Sequence, residues 1–259
     1  MRPILRRIST ISLLLLGAAL LPPGLRASSS SAQLPNSPEA MLFNAANRDR
    51  VASGLPAFQW DANLAEAARL HAERMVQHNT LSHQFAGEAP LQDRARQAGA
   101  RFSMIAENVA EGPSAQGLHT QWMNSPPHRA NLLDHELNSI GIAVVQRGSL
   151  YFAVEDFSVG VPHLSYAEQE AEVRAQLEGY GLRVGDDPTD ARKACAMDRG
   201  WAGQRPLAVL RYEMADLSQL PEEVEQKARS GKYHSVQVGA CEPTGSRTFA
   251  RFRVAILFY

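Results

Sequence analysis

The sequence is poor in cysteine, in net charge and in long apolar runs. Two cysteines in 259 residues are too few for a disulfide-built scaffold. The 26 basic and 27 acidic residues nearly cancel, which argues against a nucleic-acid binder that depends on phosphate attraction. Past the N-terminus there is no run of about 18 apolar residues, so the mature chain is expected to have no transmembrane span. Compact metal signatures such as H-E-x-x-H are missing. So are a nucleophile with a partnered base and a C-x-x-C redox pair. No internal repeat is visible. With 44% apolar and 20% charged residues, the composition is that of a folded globular protein. The length allows one large or two ordinary domains.

The first 27 residues read as an export signal. Arg2, Arg6 and Arg7 form a basic start, and Ile11 to Leu21 is an apolar stretch of 11 residues. Pro22, Pro23, Gly24 and the small residues Ala27 to Ala32 follow. A basic start, a short apolar run and small residues make a secretory signal, and the run is too short for a comfortable span. The expected location is therefore secreted or periplasmic. Cutting after Ala27 leaves 22 basic and 27 acidic residues, a net charge of −5.

Residues 28–36 (SSSSAQLPN) read as a flexible leader. The rest divides near Val159-Gly160-Val161-Pro162. Six of the eight histidines lie between His71 and His135, both cysteines lie after residue 190, and lysine is absent from residues 28 to 160. These shifts predict two units, 37–160 and 161–259.

In the first unit, Ser37 is a candidate N-cap before Pro38 and Glu39, with Gly54 ending the helix. Asp61 caps a second helix, whose Leu64, Ala68, Ala72 and Met75 share one face. Asp93 to Ala98 forms a short helix before Gly99. Ser114 caps another that runs to about Asn124, where Pro126 and Pro127 break it. Residues 139 to 158 alternate around Arg147-Gly148-Ser149 and predict a β-hairpin. In the second unit, Ser165 and Glu168 form a capping box ahead of a helix carrying Tyr166, Val173, Leu177 and Tyr180. A strand near Leu207 to Glu213, a short helix from Pro221 to Ser230 and a strand through Val236, Val238 and Ala240 come next. Phe249 to Tyr259 is a terminal strand whose apolar end implies burial on both faces.

Three segments carry candidate chemistry: Leu81-Ser82-His83, Ala106-Glu107-Asn108-Val109, and Trp122 through Leu133. His83 and His128 can offer neutral imidazole nitrogens to zinc or another divalent cation, with Glu107 as a third ligand or as their orienting partner. On spacing alone, each histidine reads equally well as a surface or capping residue. His71 is expected to pack and His119 to sit on a helix surface. Trp60 and Trp122 are expected in the core or a cleft wall. Asn108 is expected to satisfy backbone groups beside Glu107, and Arg129 and Asn131 to fix the local turn. Cys195 and Cys241, in an exported chain, are expected to be oxidised to a disulfide.

Residues 40 to 158 resemble the CAP (SCP-like) domain of cysteine-rich secretory proteins, antigen 5 and plant pathogenesis-related proteins, in its bacterial branch. The resemblance rests on six segments in family order. These are Asn47-Arg48-Asp49-Arg50, Gly54-Leu55-Pro56 with Trp60-Asp61, Leu81-Ser82-His83, Ala106 to Ala110, Ser125 to Leu132, and Glu155-Asp156-Phe157. It implies a three-layer α-β-α sandwich for the CAP domain, and with the mixed helices and strands read after residue 160 the expected fold class is α+β, the sandwich followed by a smaller α+β C-terminal domain. The resemblance also implies a cleft with two histidines and two glutamates. His83, His128 and Glu107 match three of these. The second glutamate is expected three residues after Trp122, where Ser125 stands. Ser125, Trp122 and Asn108 are thus cleft residues beside a three-group metal candidate.

Two leading functions follow from this reading, beside a structural or adhesive envelope role in which residues 161–259 make the contacts. One is a secreted binding protein whose cleft holds a divalent metal, a lipid, a small ligand or a protein partner. The alternative is a metal-dependent extracellular hydrolase acting on peptide or cell-wall substrates, which requires Glu107 to be free as a base. The lack of a partnered nucleophile leans the reading away from an enzyme.

Overall fold

A computed structural model describes residues 36–244 and 249–259. The export segment and all but the last residue of the leader lie outside the described residues.

Helix α1 (Pro38–Ala52) starts at its predicted cap, with the Ser37 hydroxyl accepting from Ala40 N at 3.2 Å. A two-residue strand, β1 (Gln59–Trp60), follows. It was too short to leave a periodic trace. Helix α2 (Ala62–His78) is capped by the Asp61 carboxylate, which accepts from Asn63 N and Leu64 N. The predicted stripe Leu64, Ala68, Ala72 and Met75 is fully buried. Helix α3 (Leu91–Gln97) leads to the long strand β2 (Phe102–Gly112). Ser114 caps α4 (Ala115–Asn124) by accepting from Gly117 N. Pro126 and Pro127 stop α4 as expected, but they also open a further helix, α5 (Pro126–Leu132). A residue without an N–H suits the first helical positions, where no intrahelical acceptor exists. The predicted hairpin is β3 (Ser139–Arg147) and β4 (Leu150–Gly160).

These strands form one sheet in the order β1-β3-β4-β2. On one face, Leu42 and Ala46 of α1 and Leu118 and Trp122 of α4 pack on Ile140, Ile142 and Phe157. On the other, Ala68, Ala72 and Met75 of α2 pack on Val109, Ala143, Phe152 and Val154. This is an α-β-α sandwich. At Gly141 the backbone of α2 comes so close that a Cβ would lie 2.1 Å from Ala65 N.

A second sheet follows. Helix α6 (Tyr166–Gly179) carries the complete Ser165/Glu168 capping box. Strand β5 (Arg183–Val184), helix α7 (Thr189–Ala196), strand β6 (Ala208–Met214), helix α8 (Glu222–Arg229) and strands β7 (Ser235–Cys241) and β8 (Phe252–Phe258) complete the chain. The order is β5-β7-β8-β6. Every residue of β8 is buried, as its apolar run predicts. Val173 and Leu177 of α6 and Val224 and Ala228 of α8 pack on one face, against Val236, Val238, Val254 and Ile256. Ala191 and Ala194 of α7 pack on the other, with Leu257. The expected Cys195–Cys241 disulfide is present, with its Cα atoms 5.8 Å apart, and joins α7 to β7. No helix among the described residues is long and apolar enough to cross a membrane.

Candidate functional site

The candidate residues gather along the outer edge of the first sheet, where β2 is the edge strand. Glu107 and Asn108 are neighbours on β2 and so point to opposite faces. Glu107 lies on the α2 side, Asn108 on the α5 side.

His83 lies in the loop after α2, and its Nδ1 donates to Glu107 Oε1 at 2.8 Å. The other carboxylate oxygen of Glu107 accepts from Arg94 Nη2 of α3. Arg94 Nη1 also donates to His83 O at 3.0 Å, so one guanidinium holds both the carboxylate and the histidine's backbone. Glu107 is therefore spoken for at both oxygens. It orients His83 through Nδ1 and leaves Nε2 without a hydrogen-bond partner among the described residues, on a side chain that is 61% exposed. The hydrogen bond that His83 donates to the Glu107 carboxylate raises the pKa of His83 above its ordinary value.

His128 sits in α5, and its Nδ1 lies 2.9 Å from Ser125 Oγ. The residue at the place of the missing glutamate thus holds the second histidine by its inner nitrogen. Its Nε2 has no such partner among the described residues. Partial burial lowers the pKa of His128, and the nearby positive charge of His83 lowers it further. Asn108 is buried and donates to His128 O at 3.1 Å and to Glu155 Oε2 at 3.3 Å. Asn131 donates to Asn108 Oδ1 at 2.9 Å and to Glu107 O at 3.3 Å. It does more than fix its own turn: it fastens α5 to the β2 edge. Trp122 is fully buried and donates its indole N–H to Val109 O, a core role beneath the site.

Two histidines outside the candidate set are also placed. His71 is buried, as expected, and both its ring nitrogens are engaged, at 2.9 Å from Glu88 Oε1 and 2.7 Å from Ser82 O. His119 does not lie on a helix surface, contrary to the sequence expectation. It is 6% exposed, and its Nε2 meets Asp49 Oδ2 of α1 at 2.8 Å. Helix α4 turns that side toward α1, which its own periodicity did not reveal.

The sequence reading missed the acids and the arginine behind the site. Burial alone would raise the pKa of Glu88, but hydrogen bonds from His71 and Phe85 N bring it below its ordinary value. Asp156 pairs across the strands with Glu107 and is fully buried, and among the described residues no donor reaches either of its oxygens. Burial, reinforced by the negative charge of Glu107, pushes its pKa well above the usual carboxylate range. Glu155 is also buried, and burial lifts it to about 8 despite the hydrogen bond from Asn108. Two acids inside an otherwise apolar strand were the available signal. No spacing ties Arg94 to Glu107.

Tested against a metal ion, this donor set offers two imidazole Nε2 atoms and no free carboxylate. Among the described residues, no group of three His, Cys, Asp or Glu side chains is arranged to hold a metal. Glu107 fits the place of an orienting partner for a ligating histidine better than that of a ligand.

The cysteine-rich secretory protein family, CAP, matches residues 43–159. This stretch is a CAP domain. Its relatives include the uncharacterized membrane protein YlbC of Bacillus subtilis, 33% identical over 111 residues, or 41% of this chain and 31% of that protein. They also include the uncharacterized protein YkwD of the same organism, 29% identical over 114 residues and 44% of each chain. This chain thus spans less than half the length of either. Among solved structures, an extracellular SCP-domain protein from Bacillus anthracis is 27% identical, with a TM-score of 0.44, covering 47% of this chain and 40% of that one. An outer surface protein from Borrelia burgdorferi is 19% identical, with a TM-score of 0.46, covering 49% and 96%. The CAP match ends at the close of β4, so the second sheet lies beyond it.

Proposed function

We propose that this chain is an exported binding protein whose CAP cleft presents the Nε2 atoms of His83 and His128 to a divalent cation such as zinc. A ligand or partner group then completes the coordination. The observation that carries this reading is the double commitment of Glu107, to His83 through one oxygen and to Arg94 through the other. A hydrolase of this design needs a carboxylate free to take a proton from water. Glu107 is held in an ion pair instead, and the alternative reading as a peptide or cell-wall hydrolase loses its base. The neighbouring acids do not replace it, since Asp156 and Glu155 are fully buried.

The inner nitrogen of each histidine is held by a protein group and the outer one is left for a ligand, an arrangement that fixes ring orientation in histidine-bound metal sites. The export signal expected from the first 27 residues and the Cys195–Cys241 disulfide agree with a secreted or periplasmic location. The test is zinc calorimetry on residues 28–259 purified from an oxidising compartment, beside a His83→Ala, His128→Ala double variant. One zinc per chain, lost in the variant, supports the reading. Absence of binding to either protein overturns the cation and turns the search to lipid and protein partners.

A further inference from the structure

The two sheets share one plan. In the first, β1 is parallel to β3, and β4 is antiparallel to both β3 and β2. In the second, β5 is parallel to β7, and β8 is antiparallel to both β7 and β6. The elements also come in the same chain order: helix, two-residue strand, helix, strand, helix, then two antiparallel strands. The first half only adds α3 and α5. The layers agree as well. Helices α1 and α4 cover one face and α2 the other, while α6 and α8 cover one face and α7 the other. Right-handed crossovers between the parallel strands would give both halves the same hand.

One internal landmark fixes the correspondence residue by residue. Gly141 pairs with Asp156, which pairs with Glu107. Gly239 pairs with Ala255, which pairs with Arg211. At Gly141 a Cβ would meet Ala65 N at 2.1 Å and Leu64 C at 2.3 Å. At Gly239 it would meet Arg192 N at 2.2 Å and Ala191 C at 2.3 Å. In both helices these are the third and fourth residues. The same close helix approach, at the same residues of the helix, thus occurs at the same kind of position in each sheet.

We propose that residues 165–258 are a second, diverged copy of the CAP-type fold, one that keeps the scaffold and has lost the site. In this register Arg211 stands in the place of Glu107, Ala255 in that of Asp156, Tyr212 in that of Asn108 and Val254 in that of Glu155. Helix α7 stops at Ala196, before the place of His71. None of the three acids and the amide on the strands behind the imidazole cleft is kept at the matching place, so on this reading the second copy carries no such cleft. Arg211 instead donates to Ala194 O at 2.7 Å and to Gly200 O, tying down the chain that replaces the missing turns of helix.

The disulfide then has a structural reason. Cys195 falls at the place of Ala68 and Cys241 at that of Ala143, two buried residues that pack together between α2 and β3. Helix α2 continues past Ala68 to bury Ala72 and Met75, whereas α7 ends one residue after Cys195. A covalent bond holds the shortened helix where packing holds the long one.

The equivalence is tested by moving the bridge. The Ala68→Cys, Ala143→Cys double variant of the exported chain is produced in an oxidising compartment. The expected result is no free thiol under denaturing titration, with non-reducing peptide mapping linking 68 to 143 alongside 195 to 241, because matched positions share the bridging distance. A folded variant with two free thiols, or with scrambled links, would overturn the proposal. Should the variant not fold, an experimental structure of the wild-type chain decides. Superposition of 165–258 on 38–160 should bring Gly239, Ala255 and Arg211 onto Gly141, Asp156 and Glu107. Finding α7 on the same face as α6 and α8 would overturn it.

Discussion

His83 and Glu107 stand 24 residues apart in the chain and meet at 2.8 Å, Nδ1 to Oε1. The contact turns a carboxylate that could serve as a base or a ligand into the partner of a histidine. It also sets the direction of His83 titration. In Glu107→Gln the hydrogen bond to a charged acceptor is gone, and the His83 midpoint should fall toward its ordinary value of 6.5. Histidine resonances followed by NMR through the titration report this directly. An unmoved midpoint would mean that Glu107 does not hold the ring in solution.

Arg94 is the structural keystone of the site. It is buried and pairs with the buried Glu107. Arg94→Met should leave an uncompensated carboxylate inside the protein and cost about 3–5 kcal/mol. Denaturant unfolding measures the loss. A change within about 0.5 kcal/mol, the range of an ordinary surface substitution, would contradict the buried pairing.

Glu155 gives the stability a pH slope. Its folded pKa of about 8 lies above its ordinary 4.5, so the native state keeps a proton that the unfolded chain releases. Its contribution is intact below pH 4.5 and is lost as the pH rises toward about 8. The slope is on the order of 1 kcal/mol per pH unit in that window, and Asp156 pulls the same way. Glu155→Gln, neutral at every pH, should flatten the decline in a urea series between pH 5 and 8 by roughly the share of one group.

Two glycines separate close packing from mere flexibility. Gly141→Ala pushes a Cβ against the backbone of α2, which cannot swing aside, and should cost about 3 kcal/mol or more. Gly179→Ala, at the end of α6 with nothing within 4 Å, should be neutral or should stabilise by up to about 1 kcal/mol. Thermal melts of the two variants give the contrast.

Removal of the Cys195–Cys241 bridge, which spans 46 residues in sequence, should cost about 4 kcal/mol in the chain-entropy model. The Cys195→Ala, Cys241→Ala variant is the suitable probe, because it leaves no thiols and adds no bulk to the buried space, and urea unfolding measures the loss.

Much of the fold was legible because its signals are local. Ser37, Asp61, Ser114 and Ser165 announce helix starts through side chains that cap the next few N–H groups, and all four do so. The 139–158 alternation needs only its own residues to read as a hairpin. The two-residue strands β1 and β5 had no such signal, since two residues carry no period. Helix α5 hid behind the prolines that start it. His83, Glu107 and His128 were visible in the sequence, but whether Glu107 would be a ligand or an orienting partner was not decided there. Those depend on Arg94 and Ser125, and the pairing of Arg94 with Glu107 is set by how α3 lies on β2 rather than by any spacing.

The most direct measurement is side-chain nitrogen NMR of all eight histidines with and without zinc. The account predicts that His83 carries its proton on Nδ1, and that zinc shifts Nε2 of His83 and of His128 while the other six stay in place. Zinc that moves neither ring, or that binds His83 through Nδ1, would contradict a cleft built from two imidazoles held at Nδ1 by Glu107 and Ser125.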